Sequence, residues 1–225
     1  MFSASEVPST KSERTRALLR GIALTSFRER GYDATTIRQI AAEAGVSVGT
    51  TNYHFASKNQ LVQELYLDVQ QGHRSAAEPL LAASDDLIER LGIVYRTGLE
   101  QLEPYHPHAG ELLSAAVSPR SAINPLSVQS APALEVVEGL FQEAVSGATH
   151  RLPSEFVDAL PRALVLAHLL LALFWVYDSS PGQERTQALL SRGLRLLKLA
   201  LPLTRVPVLR APLRELLEMV GEVRA

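Results

Sequence analysis

The chain contains no cysteine. Disulfides, thiolate metal ligands and a thiol nucleophile are thereby excluded, which agrees with a reducing compartment. An apolar signal core is also missing, since the opening stretch MFSASEVPSTKSER is polar. The longest apolar run, residues 163–176, contains His168 and falls short of the ~20 residues a membrane span needs. A soluble, cytoplasmic chain with no membrane partner is expected. There is no Gly-rich phosphate loop, no H-E-x-x-H and no G-x-S-x-G, so the chain does not read as an enzyme. Tyr105-His106-Pro107-His108, with Glu103 and Glu111, has metal-binding side-chain types, but its prolines argue for a loop. Neither a metal nor a cofactor is expected. Strand alternation and internal repeats are absent too, which leaves an all-α fold.

What is present begins with charge. The net charge of −2 looks wrong for a nucleic-acid binder. Its distribution resolves this. Residues 1–58 carry eight Lys/Arg against five Asp/Glu, and residues 59–225 carry fourteen against nineteen. A basic head on an acidic body turns one end of the molecule toward phosphate. Hydrophobic residues make up 46% of the 225, enough for a substantial core.

The stretch from Thr35 to Lys58 reads as two short helices around a tight turn, followed by the start of a third. Thr36 and Gln39 form a capping box, with Ile37, Ile40, Ala41 and Ala44 on one apolar face. Gly45 ends that helix and Val46 plugs the turn. Ser47 caps the next helix, about Val48 to Phe55, which is rich in polar and aromatic groups. Ser57, with Gln60, opens a longer one. Helix, Gly-containing turn and short second helix make a helix-turn-helix, whose second helix enters the DNA major groove.

These residues resemble the N-terminal domain of the TetR family of bacterial repressors. The resemblance rests on Gly31-Tyr32, Thr35-Thr36, Arg38, Ile40-Ala41, Ala44 to Ser47, Gly49-Thr50, Tyr53 to Phe55 and Ser57-Lys58. It covers about the first quarter of the chain. It implies a three-helix DNA-binding head, residues 1–57, on a larger helical effector-binding and dimerisation body, residues 58–225. It also implies a repressor that leaves a pseudo-palindromic operator when an unidentified small molecule fills the body.

Base-edge contacts specify a sequence and phosphate contacts hold the register. Val48, Gly49, Thr50 and Asn52 are the candidate base readers, Asn52 by pairing with adenine. Thr36 and Arg38 stand where a positive helix end faces phosphate. Tyr53 and His54 either touch phosphate or thymine methyls, or pack at the domain surface. Lys58 matches the family's backbone-contacting lysine. Thr51 and Asn52 depart from the bulky apolar residue and the tyrosine common in the family. Phe55 belongs to the core.

The first helix is expected over residues 11–30, capped by Thr10 and Glu13 and stopped by Gly31, after a mobile tail at 1–9. Leu18, Leu19, Ile22, Ala23, Ser26 and Phe27 form its buried stripe. Lys11, Arg14, Arg16 and Arg20 stud its exposed side. Further helices are expected to about residue 83, then over 85–103 behind an Asp85 cap, 109–117, 133–146, 154–177, 183–201 and 211–223. Residues 118–132, with three prolines and four serines, read as a long loop without order. The helices at 154–177 and 183–201 are too apolar for a surface pair, which points to a homodimer interface of four helices. The resemblance places an effector pocket in the body. Tyr66, Tyr95, Phe141, His168, Phe174, Trp175 and Tyr177 are candidates to line it, with ordinary core packing as the plainer role. Two other functions stay open: a constitutive or architectural DNA binder without effector, and a small all-α enzyme or binding module whose helix-turn-helix serves only packing.

Overall fold

The computed structural model describes residues 10–150 and 152–221, and every regular element among them is helical. The expected tail at 1–9 and the last residues of the expected C-terminal helix lie outside the described residues. The α-helices are α1 (Lys11–Ala34), α2 (Ile37–Glu43), α3 (Val48–His54), α4 (Lys58–Ala82), α5 (Leu87–Leu102) and α6 (Ala109–Ala116). They continue with α7 (Ala131–Ser146), α8 (Ser154–Val157), α9 (Ala159–Val176), α10 (Glu184–Ala200) and α11 (Pro207–Gly221).

Two units are distinguished by their internal contacts. The first holds the residues up to Tyr66 together with Pro104–Asn124, and the second holds Leu67–Glu103 and the residues from Pro125 onward.

Local chemistry explains the first unit's element ends. Both arms of the Thr10–Glu13 capping box form, at 3.1 and 2.8 Å. Gly31, with φ 79° and ψ 179°, breaks α1 as expected, and a non-helical step separates the last residues of its span. The core comprises Leu19, Ala23 and Phe27 of α1, Ile40 and Ala41 of α2, Phe55, and Leu61, Val62 and Leu65 of α4. Leu18 is not part of the stripe; it is 49% exposed. Residues 118–124 are not the formless loop expected. Ile123 is buried, and its carbonyl accepts the Tyr66 hydroxyl at 2.9 Å. The neighbouring Ala122 carbonyl accepts Gln63 Nε2 at 2.7 Å.

In the second unit α5 packs on α7 and α10, and α9 packs on α7 and α11. Asp86, not Asp85, caps α5, accepting Glu89 N at 2.9 Å. The Asp85 carbonyl instead accepts Thr149 N and Oγ1 at 2.9 and 3.0 Å. The helix expected over 154–177 is two, α8 and α9. Pro161 has no N–H to give the Val157 carbonyl, and the break falls at Asp158 between them. Helix α11 starts at Pro207, earlier than expected, because proline is preset for a first helical turn.

Two buried charges join helix ends in this unit. Asp178 accepts Ser180 N and Oγ at 3.0 and 2.6 Å, and Thr186 N and Oγ1 both at 2.7 Å. Burial pushes its carboxyl up, but the hydrogen bonds from Ser180 and Thr186 outweigh this and hold it well below the usual range. Arg90 is buried on α5, and its guanidinium makes four hydrogen bonds to carbonyls. Nε meets Ala144 O at 2.9 Å and Nη2 meets Glu143 O at 2.7 Å, at the end of α7. Nη1 meets Leu81 O, and Ser84 O at 2.7 Å, where α4 ends. One side chain thereby joins two helix C-termini, adding to the backbone bonds that Glu143 O and Leu81 O already accept from Gly147 N and Ser84 N at 3.0 and 3.4 Å. A Cβ on Gly147 would lie 2.3 Å from Arg90 Nη2, so only glycine admits the guanidinium here.

Replacing Arg90 with Met removes all of these guanidinium bonds from the two helix ends. It should lower unfolding free energy by about 3 kcal/mol or more, read from urea denaturation. An unchanged midpoint would contradict the stapling role.

Candidate nucleic-acid interface

The helix-turn-helix forms as its sequence implies. Thr36 Oγ1 accepts Gln39 N at 3.2 Å, and the Gln39 side chain accepts Thr36 N at 3.0 Å. Gly45 takes φ 66° in the turn, and Val46 N bonds back to Ala41 O at 3.0 Å. Ser47 Oγ accepts Thr50 N at 3.0 Å and starts α3. Gln60 N donates to Ser57 Oγ at 3.3 Å, capping α4.

Two residues orient α3. Thr51 and Phe55, one helical turn apart, are fully buried. The Thr51 hydroxyl donates to Ser47 O at 3.3 Å, which is how a polar residue occupies this inward position. Phe55 lies beneath Arg16, whose guanidinium is 4.6 Å from the ring centroid. With 51 and 55 inward, Val48, Gly49, Asn52 and Tyr53 are exposed. These positions share one face. Tyr53 is 81% exposed and meets the His54 ring edge-on at 5.1 Å, so most of its ring lies open to solvent. Thr50 and His54 are half-buried, and Thr50 Oγ1 pairs with Ser47 Oγ at 2.9 Å. Thr36 and Arg38 are exposed at the start of α2.

The head's cations divide into two groups. Arg16 and Arg20 do not stud a free surface; both meet the Glu64 carboxylate, Arg20 Nε at 3.0 Å. Arg30 pairs with Glu43 at 2.7 Å. Lys58 is half-buried, with Nζ on the Tyr32 carbonyl at 2.9 Å. Lys11, Arg14, Arg28 and Arg38 are exposed and make no ion pair among the described residues. They carry positive charge that no carboxylate among the described residues pairs with.

The seven aromatic and histidine positions proposed for a pocket differ in burial. Tyr66 belongs to the first unit, where its hydroxyl holds the Ile123 carbonyl. Phe174 and Tyr177 point outward, at 42% and 75% exposure. Trp175 is buried. Tyr95, Phe141 and His168 do cluster, around a residue the sequence reading missed, His73. The Tyr95 and Phe141 centroids are 5.0 Å apart, and the His73 and His168 rings stack at 5.7 Å. The signal for His73 was available, since Leu65, Val69, His73, Ala77 and Leu81 recur every four residues along α4. His73 Nε2 faces the Val94 carbonyl at 2.8 Å, so that nitrogen carries the proton. His168 Nδ1 has no hydrogen-bond partner among the described residues. His108 and Glu111 form a pair at 3.5 Å, and no metal-binding cluster of three acidic, His or Cys groups occurs among the described residues.

Residues 22–65 match the bacterial regulatory proteins of the tetR family, and residues 90–222 match the tetracyclin repressor-like C-terminal domain. The chain belongs to the TetR family. Among curated relatives it is similar to the HTH-type transcriptional repressor KstR2 of Mycolicibacterium smegmatis, 34% identical over 106 residues. That alignment covers 47% of this chain and 50% of KstR2, so the chain spans about half the length of the curated relatives it matches. Among solved structures, a TetR-family regulator from Syntrophomonas wolfei aligns with a TM-score of 0.60 at 18% identity, covering 83% of this chain and 96% of that one. The Thermus thermophilus repressor FadR, solved with lauroyl-CoA, aligns at 0.57 and 24% identity, covering 79% and 94%. These two likenesses show the fold.

The imidazole pair gives the body an acid limit. Burial pushes His73 down to about 4, the Val94 hydrogen bond opposing it. Burial, and then the neighbouring His73, push His168 down to about 3. Unfolding releases both rings to titrate near their ordinary value of 6.5. The unfolded chain therefore binds more protons below that pH, so stability is lost as the pH is lowered. Stability should be level above about pH 6.5 and fall below it, the imidazoles' share of the loss ending only below about pH 3 while the depressed Asp178 carboxyl continues the fall to lower pH. Thermal unfolding across this range reads it. His168→Phe should shallow the slope, and an equal slope in the variant would contradict the assignment.

Proposed function

We propose that the chain is a homodimeric transcriptional repressor that reads a pseudo-palindromic operator with α3 and is released by a small molecule. The observation that carries the reading is the division of α3. Thr51 and Phe55 are buried, while Val48, Gly49, Asn52 and Tyr53 are free to meet base edges. Thr36, Arg38, Tyr53 and His54 would hold the phosphates, with Thr50 beside the base-reading set. The family relatives named as repressors support the direction of control. Division of labour follows the head at residues 1–57 and the body at 58–225, and the setting is the cytoplasm.

The self-pairing surface is read from apolar residues left uncovered. On α9 these are Leu170, Leu173 and Phe174, followed by Tyr177 at its C-cap, and on α10 Leu189, Leu196 and Leu199. The remaining face of α9 packs inside its own unit through Leu160, Leu164, Val165, His168, Leu171 and Trp175. By length and composition alone α9 is apolar enough to cross a membrane. Its inward set recurs at three- and four-residue steps, the spacing of a helix with one side in a core. A second copy covering the outer side would remove an exposed patch of a kind that marks interfaces. The effector site is placed at the Tyr95, Phe141, His73 and His168 cluster, where aromatic walls accompany a nitrogen with an open hydrogen bond.

Selection from a random duplex library with the full chain should return an inverted repeat. Asn52→Ala should relax one base position in each half-site, at about 1–3 kcal/mol. Recovery of the same motif by the variant would remove Asn52 from the reading set. Phe174→Asp should convert the dimer to a folded monomer in light scattering and weaken operator binding. A variant that remains dimeric would relocate the interface.

A further inference from the structure

Arg16 lies in the second turn of α1 and meets two other elements of the first unit. Its Nη2 pairs with Glu64 Oε1 on α4, and its guanidinium carbon lies 4.6 Å from the Phe55 ring centroid at the end of α3. Arg20, one turn further along α1, brings Nε to the other Glu64 oxygen at 3.0 Å. One carboxylate of α4 therefore holds two arginines of α1. Phe55 is fully buried, while the Arg16 side chain keeps 43% of its surface open. The guanidinium thus forms part of the cover between that ring and water. Arginine suits both contacts at once, since its flat face can lie on a ring while its edge donates to a carboxylate.

Phe55 also closes α3. Its amide donates to the Thr51 carbonyl at 2.8 Å as the C-cap of the helix. A helix of seven residues has too few bonds of its own to hold a direction. A shift of the Phe55 ring therefore turns the exposed Asn52 and Tyr53 with it.

We infer that Arg16 is a positioning residue for DNA reading: Glu64 holds its guanidinium over the Phe55 ring, and this bracket from α1 and α4 fixes the direction in which α3 presents Asn52 and Tyr53, without a phosphate contact by Arg16 itself. This rests on the DNA-binding reading above. The competing role for a half-exposed arginine in a basic head is a phosphate contact. The two roles give opposite signs when the Glu64 charge is removed. Loss of an acid that restrains a phosphate-binding cation raises affinity. It also steepens log affinity against log salt by about 0.9, because a freed arginine releases a further counterion from the duplex. Loss of the anchor of a bracket lowers affinity and leaves the slope where it was.

The test compares Glu64→Gln, Arg16→Met and the double variant in the full chain, on the duplex returned by the selection, with affinity referred to the folded fraction. Each single variant should bind about tenfold more weakly, the scale of one charge-assisted hydrogen bond lost. Their salt slopes should match the parent protein's. The double variant should be about as weak as either single one, rather than roughly a hundredfold weaker as independent losses would be. Glu64→Gln binding as tightly as the parent or more tightly overturns the bracket. A slope lowered by about 1 in Arg16→Met makes Arg16 a phosphate contact and overturns it. Additive losses overturn it too, as does unchanged affinity in Arg16→Met beside a lowered unfolding midpoint, the mark of a purely structural contact. Amide exchange in the free protein reads the bracket without DNA. Phe55 N–H should exchange about tenfold faster in both single variants, the same loss easing local opening at the end of α3. Exchange at the parent rate in both overturns the bracket. A selection that enriches no sequence while exchange behaves as expected removes the DNA reading and leaves the hold on α3 standing.

Discussion

Phe55 leaves no surface to solvent, and the Arg16 guanidinium rests 4.6 Å above its ring. A phenylalanine at the end of a seven-residue helix has no reason to point inward unless a core awaits it. That core is supplied by α1, α2 and the first turns of α4. A short helix contributes little stability of its own, so its orientation is set by the side chains it buries. Once Phe55 and Thr51 are committed inward, the helical period fixes which residues face out. Val48, Gly49, Asn52 and Tyr53 follow from that geometry.

The charges around this core are arranged by the same requirement. Glu64 gathers Arg16 and Arg20 beside the Phe55 ring, where an unpaired carboxylate would be costly. Arg38, Arg14, Arg28 and Lys11 remain open to solvent. The head is thus held together by part of its basic charge and presents the rest outward. The second unit follows similar rules at its helix ends. Arg90 supplies donors to carbonyls, and Asp178 supplies acceptors to the amides that begin α10.

Local signals in the sequence were readable. Both Thr-led capping boxes, the break at Gly31 and the turn at Gly45 depend on residues three or four apart, and each formed as expected. The inward place of Phe55 was legible from its spacing. Asp85 was expected to cap α5, and the path of the chain gives that role to its neighbour Asp86. The split at Asp158 was marked by Pro161 but masked by the apolar run around it. Partnerships across long separations were not legible. Arg16 and Arg20 looked like surface cations until Glu64 was placed beside them. Arg90 lies in the apolar stripe of α5, and nothing local announces that carbonyls more than fifty residues away will receive it. The aromatic set was chosen by residue type, which does not separate the exposed Phe174 and Tyr177 from the buried Tyr95 and Phe141.

The most direct test of the account is an amide and side-chain NMR titration of the full chain with the selected duplex at low ionic strength. The account predicts that the largest perturbations fall on Val48, Gly49, Asn52 and Tyr53, with Thr51 and Phe55 keeping their buried environment. Perturbations centred on other surfaces, with α3 unmoved, would contradict it.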